Sequence, residues 1–423
     1  MTMETKTNAV QPDHKICKIA LLVALACVLQ ISESLIPHPI PGLRLGLANI
    51  LTLTALIDLG FSYALEVAIL RTVLSSLIMG TFMSPTFIMS LGGAVVSTLV
   101  MGLFYWLSGL GSYLRMSIIG LSIIGAFVHN FVQLYLAYLL LVKHAGIFFF
   151  FPWLSLGAVA TGWVVGVVTG GVCRRLQDNE KGMGAHQPQP MQKAFQLRHY
   201  TPGDSWLHRL GAEIKLISLF IMAVSLLFIT QADVYGIFFI FICLLLPLSK
   251  TPLKFLLSSA KKYRVLIVMS VLLPLFFNSG THILFSLGMI KITREGIQTG
   301  ALYGARILLL VLLSAFLIRT TSPEKLVKGM GHLLWPLKLF GISAHRTAMI
   351  LSLSWTAVPR LWDAARDTAA STNFKKITTL KGLLPLLSNF IATLYLTTEP
   401  SHGLWDQTPW AETRDPEQPC VSS

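Results

Sequence analysis

Charged residues are scarce in this 423-residue chain: Asp, Glu, Lys and Arg make up 12% of it, whereas hydrophobic residues make up 54%. Soluble domains carry roughly 25% charged residues, so together with the mean hydropathy of +0.67 the composition indicates an integral membrane protein in a lipid bilayer. The net charge of +14 does not indicate nucleic-acid binding. The Lys and Arg residues lie mainly between the apolar runs, as the positive-inside rule predicts.

Motifs for catalysis and for metal binding are also missing. The five cysteines are scattered and show no CxxC spacing, so we expect no metal site and no disulfide framework. The sequence has no GxxxxGK[ST], which excludes a P-loop, and no pair of DDxxD motifs for diphosphate bound through magnesium. HExxH and GxSxG are missing as well. We therefore expect that the chain is not an enzyme and needs no cofactor.

Apolar runs of membrane-spanning length organise the first half. Residues 1–14 form a polar arm, and Lys15 and Lys18 flank the first run, which places the N-terminus in the cytoplasm. The first apolar run shows no convincing signal-peptide cleavage site, so we expect no cleavable signal peptide. Six spans are predicted, at about 16–36, 44–59, 61–80, 85–108, 116–142 and 148–173. They define a first membrane domain at 15–175.

The second half has a different character. A polar linker at 176–205 precedes a second membrane domain at 206–398. Its apolar runs are predicted at about 216–230, 234–249, 265–278, 302–318 and 379–397, and the 279–300 segment between two of them is predicted as an extracellular loop. From residue 323 to about 376 the pattern is amphipathic, which predicts helices at the cytoplasmic surface. A polar tail covers 399–423. The predicted fold is therefore an all-α polytopic membrane protein with two helical modules.

Polar residues inside the predicted spans are the strongest candidates for a binding site. Asn49 is the last residue of the glycine-containing stretch Pro41–Asn49, and Arg71 lies deep in its apolar run. One polar helix face is formed by His129, Asn130 and Gln133. Such groups are costly at membrane depth unless they face a cavity or a partner. Two interpretations are open: a cavity for a small molecule, or hydrogen bonds between helices. The 81–86 loop, rich in hydroxyl groups, suits either a gate or an ordinary turn.

Small residues at four-residue spacing predict close helix packing. Ala20 and Ala24 lie in the first span, and Gly162, Gly166 and Gly170 lie in the sixth.

The first half resembles the Gx transporter family, also called heptaprenyl diphosphate synthase component I. The motifs that carry the resemblance are Pro41–Ile50, Arg71, Gly80–Phe87, Gly92-Gly93 and His129–Gln133. That family resembles the substrate-binding S components of energy-coupling factor (ECF) transporters. The resemblance implies a six-helix S-like bundle, and it implies that Ala20 and Ala24 contact a T subunit.

The second half is similar to the ECF transmembrane T subunit, the CbiQ-like family. The matching residues are Leu207–Leu210 with Lys215, Arg319–Lys325, Pro336-Leu337, Gly341-Ile342 and Pro359. In that family two cytoplasmic coupling helices end in Ala-Arg-Gly motifs that dock on the ATPases. Here the first motif is replaced by Ser371–Lys376 and the second by Thr397–Gly403. Arg366, Lys375 and Lys376 are the candidate substitutes for ATPase coupling.

These resemblances imply a membrane component of an ECF-type ABC transporter. An S-like module would bind a small, vitamin-like solute through Asn49, Arg71, His129, Asn130 and Gln133, and a T-like scaffold would couple it to separate ABC ATPases in the cell membrane. The altered coupling motifs favour an alternative, an ATP-independent scaffold or assembly factor for quinone- or flavin-linked redox systems. A third interpretation, a prenyl diphosphate synthase component, lacks the acidic motifs.

Overall fold

In the residues that a computed structural model of the chain describes, the protein is all-α apart from one short hairpin. The described residues are 14–35, 46–110, 116–142, 145–181, 206–229, 231–249, 251–277, 282–287, 290–322, 325–326, 329–330, 343–371 and 380–398. Seven of the described helices are long and apolar enough to cross a membrane. The predicted class, a polytopic all-α membrane protein, is confirmed.

The first module contains six α-helices. They are α1 (His14–Leu35), α2 (Leu47–Asp58), α3 (Phe61–Met79), α4 (Pro85–Leu110), α5 (Ile118–Ala137) and α6 (Phe151–Lys181). A π-helical turn, Tyr138–Val142, extends α5, and a 3₁₀ turn, Ala145–Phe150, leads into α6. Helices α1, α2 and α3 form the buried centre, and most of their side chains are inaccessible to solvent.

Helix α2 is shorter than the 44–59 span that the hydropathy predicts. Its 12 residues reach about 18 Å, which is less than the ~30 Å hydrocarbon core of a bilayer. The left-handed backbone of Gly46 (φ 73°) precedes the helix, and Gly60 (φ 98°) follows it. Glycine adopts these angles at little steric cost, so both ends of the helix are set by turns inside the apolar stretch.

The second module continues with shorter helices. They are α7 (Trp206–Arg209), α8 (Ala212–Phe228), α9 (Ala232–Ser249), α10 (Leu253–Lys262), α11 (Arg264–Phe277), α12 (Arg294–Thr320), α13 (Ala344–Ser371) and α14 (Leu380–Thr398). The 279–300 segment is not the simple loop that the sequence suggests. It contains an antiparallel hairpin of β1 (Ile283–Leu287) and β2 (Ile290–Thr293), and α12 begins eight residues earlier than its apolar run.

Two glycines of the predicted four-residue pattern bring α6 and α5 into backbone contact. An added Cβ at Gly162 would lie 2.7 Å from Ile123 Cα, and one at Gly166 would lie 2.7 Å from Ile119 Cα. Real Cβ atoms do not approach a backbone this closely, so the helices would have to separate. At Gly170 nothing lies within 4 Å of the added atom. The packing role predicted from the pattern therefore applies to Gly162 and Gly166 and does not extend to Gly170.

This difference predicts opposite effects for the same substitution on one helix. Gly162→Ala should destabilise the protein by about 1–3 kcal/mol, because overpacking against a backbone cannot be relieved by a side-chain rotation. Gly170→Ala should be neutral, or stabilising by up to ~1 kcal/mol, because alanine favours a helix more than glycine does. Unfolding of the two purified variants in detergent measures the difference. Equal stabilities would contradict the close approach of α5 and α6.

Among the described residues the two modules meet at several places. Helix α1 packs along α13, α6 packs against α14, and the end of α5 meets α12. At the α6–α14 contact, the Ser388 hydroxyl donates to the Val168 carbonyl (3.3 Å). At the α5–α12 contact, Ala137 and Leu140 share a small apolar cluster with Tyr263 and Ile307. Most of the core is continuous across the modules, so they form one packed unit.

Candidate functional site

The guanidinium of Arg71 is the centre of a polar cluster inside the first module. Arg71 is 5% exposed, and it donates to three side-chain oxygens from two neighbouring helices. These are Asn49 Oδ1 (2.5 Å), Thr52 Oγ1 (3.1 Å) and Gln30 Oε1 (3.1 Å). The cluster satisfies a buried cation with neutral acceptors, which fixes α1, α2 and α3 around one point.

Glu33 closes the same region by capping α2. Its Oε1 accepts from the Gly46 N–H (2.8 Å) and its Oε2 from the Leu47 N–H (3.2 Å). A carboxylate at a helix N-terminus satisfies free N–H groups and is favoured by the helix dipole. Glu33 is 4% exposed, so α1 contributes a buried carboxylate close to the end of the Pro41–Asn49 stretch. Residues 41–45 of that stretch lie outside the described residues.

The polar face of α5 approaches the cluster from the other side. Asn130 donates to the Leu154 carbonyl on α6 (3.1 Å). The His129 ring packs over Gly93 of α4, where an added Cβ would lie 2.9 Å from the ring and 3.2 Å from Gln133 Cγ. The Gly92-Gly93 pair thus provides the room that the α5 side chains occupy.

Asn49, Arg71, His129 and Asn130 line one cavity of about 50 Å³. Gln133 is not among its lining residues. The others include Gln30, Glu33, Gly46, Ser90, Ser97, Met101, Ser122 and Thr161. This Arg71 cavity offers a guanidinium, a carboxylate, amides and hydroxyl groups, all of which can form hydrogen bonds. Its volume holds only a few water molecules, so a larger solute requires movement of the surrounding helices.

Ala20 of α1 lies where the modules meet. Ala20 and Ala24 are completely buried, and the Ala20 carbonyl lies 2.9 Å from the Ser354 hydroxyl of α13. Small side chains permit this approach of two helices. The contact with Ser354 joins α1 to α13, while the contact of Ala20 and Ala24 with a T subunit stays a prediction.

A buried ion pair ties the same two modules together a few turns away. Glu66 of α3 is completely buried, and its Oε2 accepts from Arg346 of α13 at 2.6 Å. Its Oε1 accepts from the Thr347 hydroxyl (3.3 Å), and the Arg346 guanidinium lies over the Tyr63 ring, 5.2 Å from its centroid. The Glu66 carboxylate therefore serves the interface between modules and not the Arg71 cluster.

The candidate coupling residues are only partly covered by the structure. Arg366 is exposed on the last turns of α13. Lys375 and Lys376 lie outside the described residues, as does most of the segment predicted as the first coupling helix. Lys215, one of the residues that carry the resemblance, is buried and donates to the Thr320 carbonyl (3.0 Å) and Thr321 Oγ1 (3.2 Å). It fixes the end of α12 to the start of α8.

The residues that sequence reasoning missed are Gln30, Glu33, Thr52 and Arg346. Gln30 and Glu33 were detectable, because they are polar, lie three residues apart and occupy the end of an apolar run. Thr52 gave no such signal, since threonine is common in membrane helices. Among the described residues no group of three His, Cys, Asp or Glu side chains is placed to hold a metal ion.

The fold and the buried polar cavity define a class of protein. It is a polytopic membrane protein in which a helical module with a polar cavity packs on a second helical module. Comparison with known proteins specifies it further. Residues 22–172 match the family model described as heptaprenyl diphosphate synthase component I, and residues 203–374 match the model described as cobalt transport protein.

Two relatives among curated proteins carry the same name. The chain is 34% identical over 180 residues to the energy-coupling factor transporter transmembrane protein EcfT of Streptococcus thermophilus, a match that covers 43% of this chain and 67% of that protein. It is 29% identical over 205 residues to EcfT of Listeria innocua, covering 47% and 77%. The chain belongs to the family of energy-coupling factor transporter transmembrane proteins. It is a membrane component of that kind of transporter and carries a synthase-component-like domain before the family domain.

Proposed function

We propose that the first module binds a small solute and that the second module couples it to separate ABC ATPases, so that one chain combines an S-like and a T-like role. The observation that carries the proposal is the Arg71 cavity. A buried guanidinium with amide and hydroxyl partners lines a space inside a membrane module that packs directly on the family domain. In this proposal the domains are 15–175 and 206–398, joined by the 176–205 linker. A short tether keeps both at high effective concentration.

Helix α13 is the element that would transmit ATPase motion. Near its start Arg346 holds Glu66 of the first module, eight residues later Ser354 contacts Ala20, and Arg366 is exposed near its end. Arg346 and Arg366 are about 30 Å apart along a continuous helix. A single helix that contacts the first module near its start and exposes a cation near its end, with Pro359 between the two, suits the conversion of a nucleotide switch into a rocking movement of packed helices. We propose Arg366, with Lys375 and Lys376, as the ATPase contacts, and a cytoplasmic N-terminus.

An ATP-independent scaffold for quinone- or flavin-linked redox enzymes is the second candidate. It is favoured by one observation: Ser371–Lys376 stands where the T subunits carry the first Ala-Arg-Gly motif. The synthase-component name of the first module indicates no catalysis here, because the acidic motifs of prenyl synthases are missing from the sequence.

Affinity purification of the full chain from its native membrane, with identification of the bound proteins, separates the two candidates. We expect ABC ATPase subunits in near-stoichiometric amounts. Arg366→Glu should lower their yield at least about fivefold, since it reverses the charge at the proposed contact. Arg174→Glu, an equivalent reversal at an exposed position of α6, should not. Recovery of redox enzymes without ATPases would contradict the coupling role and support the scaffold.

A further inference from the structure

A second cavity lies beside the Arg71 cavity and is larger than it. Its volume is about 230 Å³, and it lies between α1, α3 and the start of α4. Tyr263, between α10 and α11, contributes a wall from the second module. We call it the Tyr263 cavity; its lining is Gln30, Glu33, Ser34, Thr72, Ser75, Ser76, Met79, Thr81, Thr86, Phe87, Ser90 and Tyr263. Pockets for drug-sized ligands measure roughly 300–1,000 Å³, so this one fits a smaller molecule.

The hydroxyl groups of this lining are arranged to accept hydrogen bonds. Ser34, Thr72, Ser75 and Ser76 each donate to a backbone carbonyl of their own helix, at 2.6–3.1 Å. A hydroxyl has one proton and two lone pairs, so a side chain that donates to its helix can still accept from a ligand. The wall formed by α3 therefore favours a ligand rich in N–H or O–H donors.

Glu33 adds a negative charge to this wall. Its carboxylate accepts two backbone N–H groups at the start of α2, whereas a carboxylate can accept about four hydrogen bonds. It lines both cavities. The cation of Arg71 lines only the smaller cavity, where it donates to Asn49, Thr52 and Gln30. The larger cavity thus has a carboxylate in its wall and no guanidinium.

Aromatic rings complete the site. Phe87, which packs on Phe82 with ring centroids 4.9 Å apart, and Tyr263 both line the cavity and are almost fully buried. Aromatic faces attract ammonium groups, and a carboxylate forms charge-assisted hydrogen bonds with them.

We propose that the Tyr263 cavity binds a small organic ammonium ion of about ten non-hydrogen atoms, with its cation on Glu33 and its body between Phe87 and Tyr263. Because Tyr263 belongs to the second module, the site is complete only when the two modules are packed together. The Tyr263 cavity is a second site beside the Arg71 cavity, so the inference goes beyond the proposed function and does not name the solute of the Arg71 cavity. It requires no ATPase.

Three probes of one size and different charge test the proposal on the purified full chain. Tyramine carries an ammonium group, 4-hydroxyphenethyl alcohol is neutral, and 4-hydroxyphenylacetate carries a carboxylate. Calorimetry should show tyramine binding at least about tenfold tighter than the alcohol, as a charge-assisted contact predicts, and no binding of the acid. Equal binding of the three probes, tighter binding of the acid, or no binding of tyramine overturns the proposal.

Two variants assign the effect to the cavity. Glu33→Gln keeps one of the two side-chain acceptors of the α2 cap and removes the charge. Tyramine should therefore bind to this variant no more tightly than the alcohol does. Asp58→Asn, which removes a carboxylate outside the cavity, should leave the preference unchanged. Tyr263→Ala should weaken tyramine at least about fivefold and Tyr263→Phe should not. If Glu33→Gln still prefers tyramine over the alcohol, or if Asp58→Asn loses that preference to the same extent, the assignment of the ammonium group to Glu33 is overturned. ATPase co-purification in the same preparations reports separately on the proposed function.

Discussion

Replacing Arg346 with methionine should destabilise the protein by about 3–5 kcal/mol, because it leaves the Glu66 carboxylate buried without its cation. Glu66 is completely buried, and its partner comes from the other module. Replacing both residues, as Glu66→Gln with Arg346→Met, should restore most of the loss, since a buried pair is costly mainly when one member remains. Unfolding of Arg346→Met, Glu66→Gln and the double variant in detergent measures the three effects, and the double-mutant cycle isolates the coupling between the two side chains.

The Lys18–Asp58 ion pair provides the matched control. Its N–O distance is 2.8 Å, but the Asp58 side chain is 37% exposed, so Lys18→Met should cost less than about 1 kcal/mol. A similar loss of stability in Lys18→Met and Arg346→Met would show that the buried ion pair contributes no more to stability than the exposed one. The account of the module interface would then be wrong.

Replacing Arg71 with methionine should have the largest effect on solute retention and a stability cost as well. Thr52, which is buried, would lose its donor at roughly 1–3 kcal/mol, and the half-buried Asn49 and Gln30 would lose theirs at a smaller cost. Asn49→Ala, which removes only one of the three contacts, should also lower retention at least about tenfold, at a smaller cost in stability. Mass spectrometry of small molecules extracted from equal amounts of folded protein measures retention.

Gln133→Ala serves as the control for this series. Gln133 lies on the same α5 face as His129 but does not line the Arg71 cavity, so retention should remain at the wild-type level. Retention that survives Arg71→Met, or that falls equally in Gln133→Ala, would contradict a binding role for the cavity.

The helices of this fold follow directly from the apolar runs, because a bilayer demands about 20 apolar residues for each span. The exceptions have local causes. Hydropathy carries no information on the backbone angles of Gly46 and Gly60, so it overestimates the length of α2. It also reads the weakly polar segment before α12 as a loop, whereas β1 and β2 pair there.

The site was only partly predictable. Asn49 and Arg71 stood out because polar groups inside a span need partners, and the structure brings them together. The partner of Glu66 could not be inferred, since Arg346 is 280 residues away in the sequence and only the packing of α13 on the first module brings them together. The need for glycine at position 93 could not be inferred either, because it depends on the His129 ring, which packs over Gly93 only in the folded protein.

We propose that one chain binds a solute and couples its release to ATP hydrolysis by separate ATPases. The direct measurement is release of the co-purified small molecule from the complex of the full chain with its ATPases, before and after ATP is added. We expect retention without nucleotide, release on addition of ATP with magnesium, and no release with a non-hydrolysable analogue. Retention that is unchanged by ATP hydrolysis in a complex containing both components would contradict the claim.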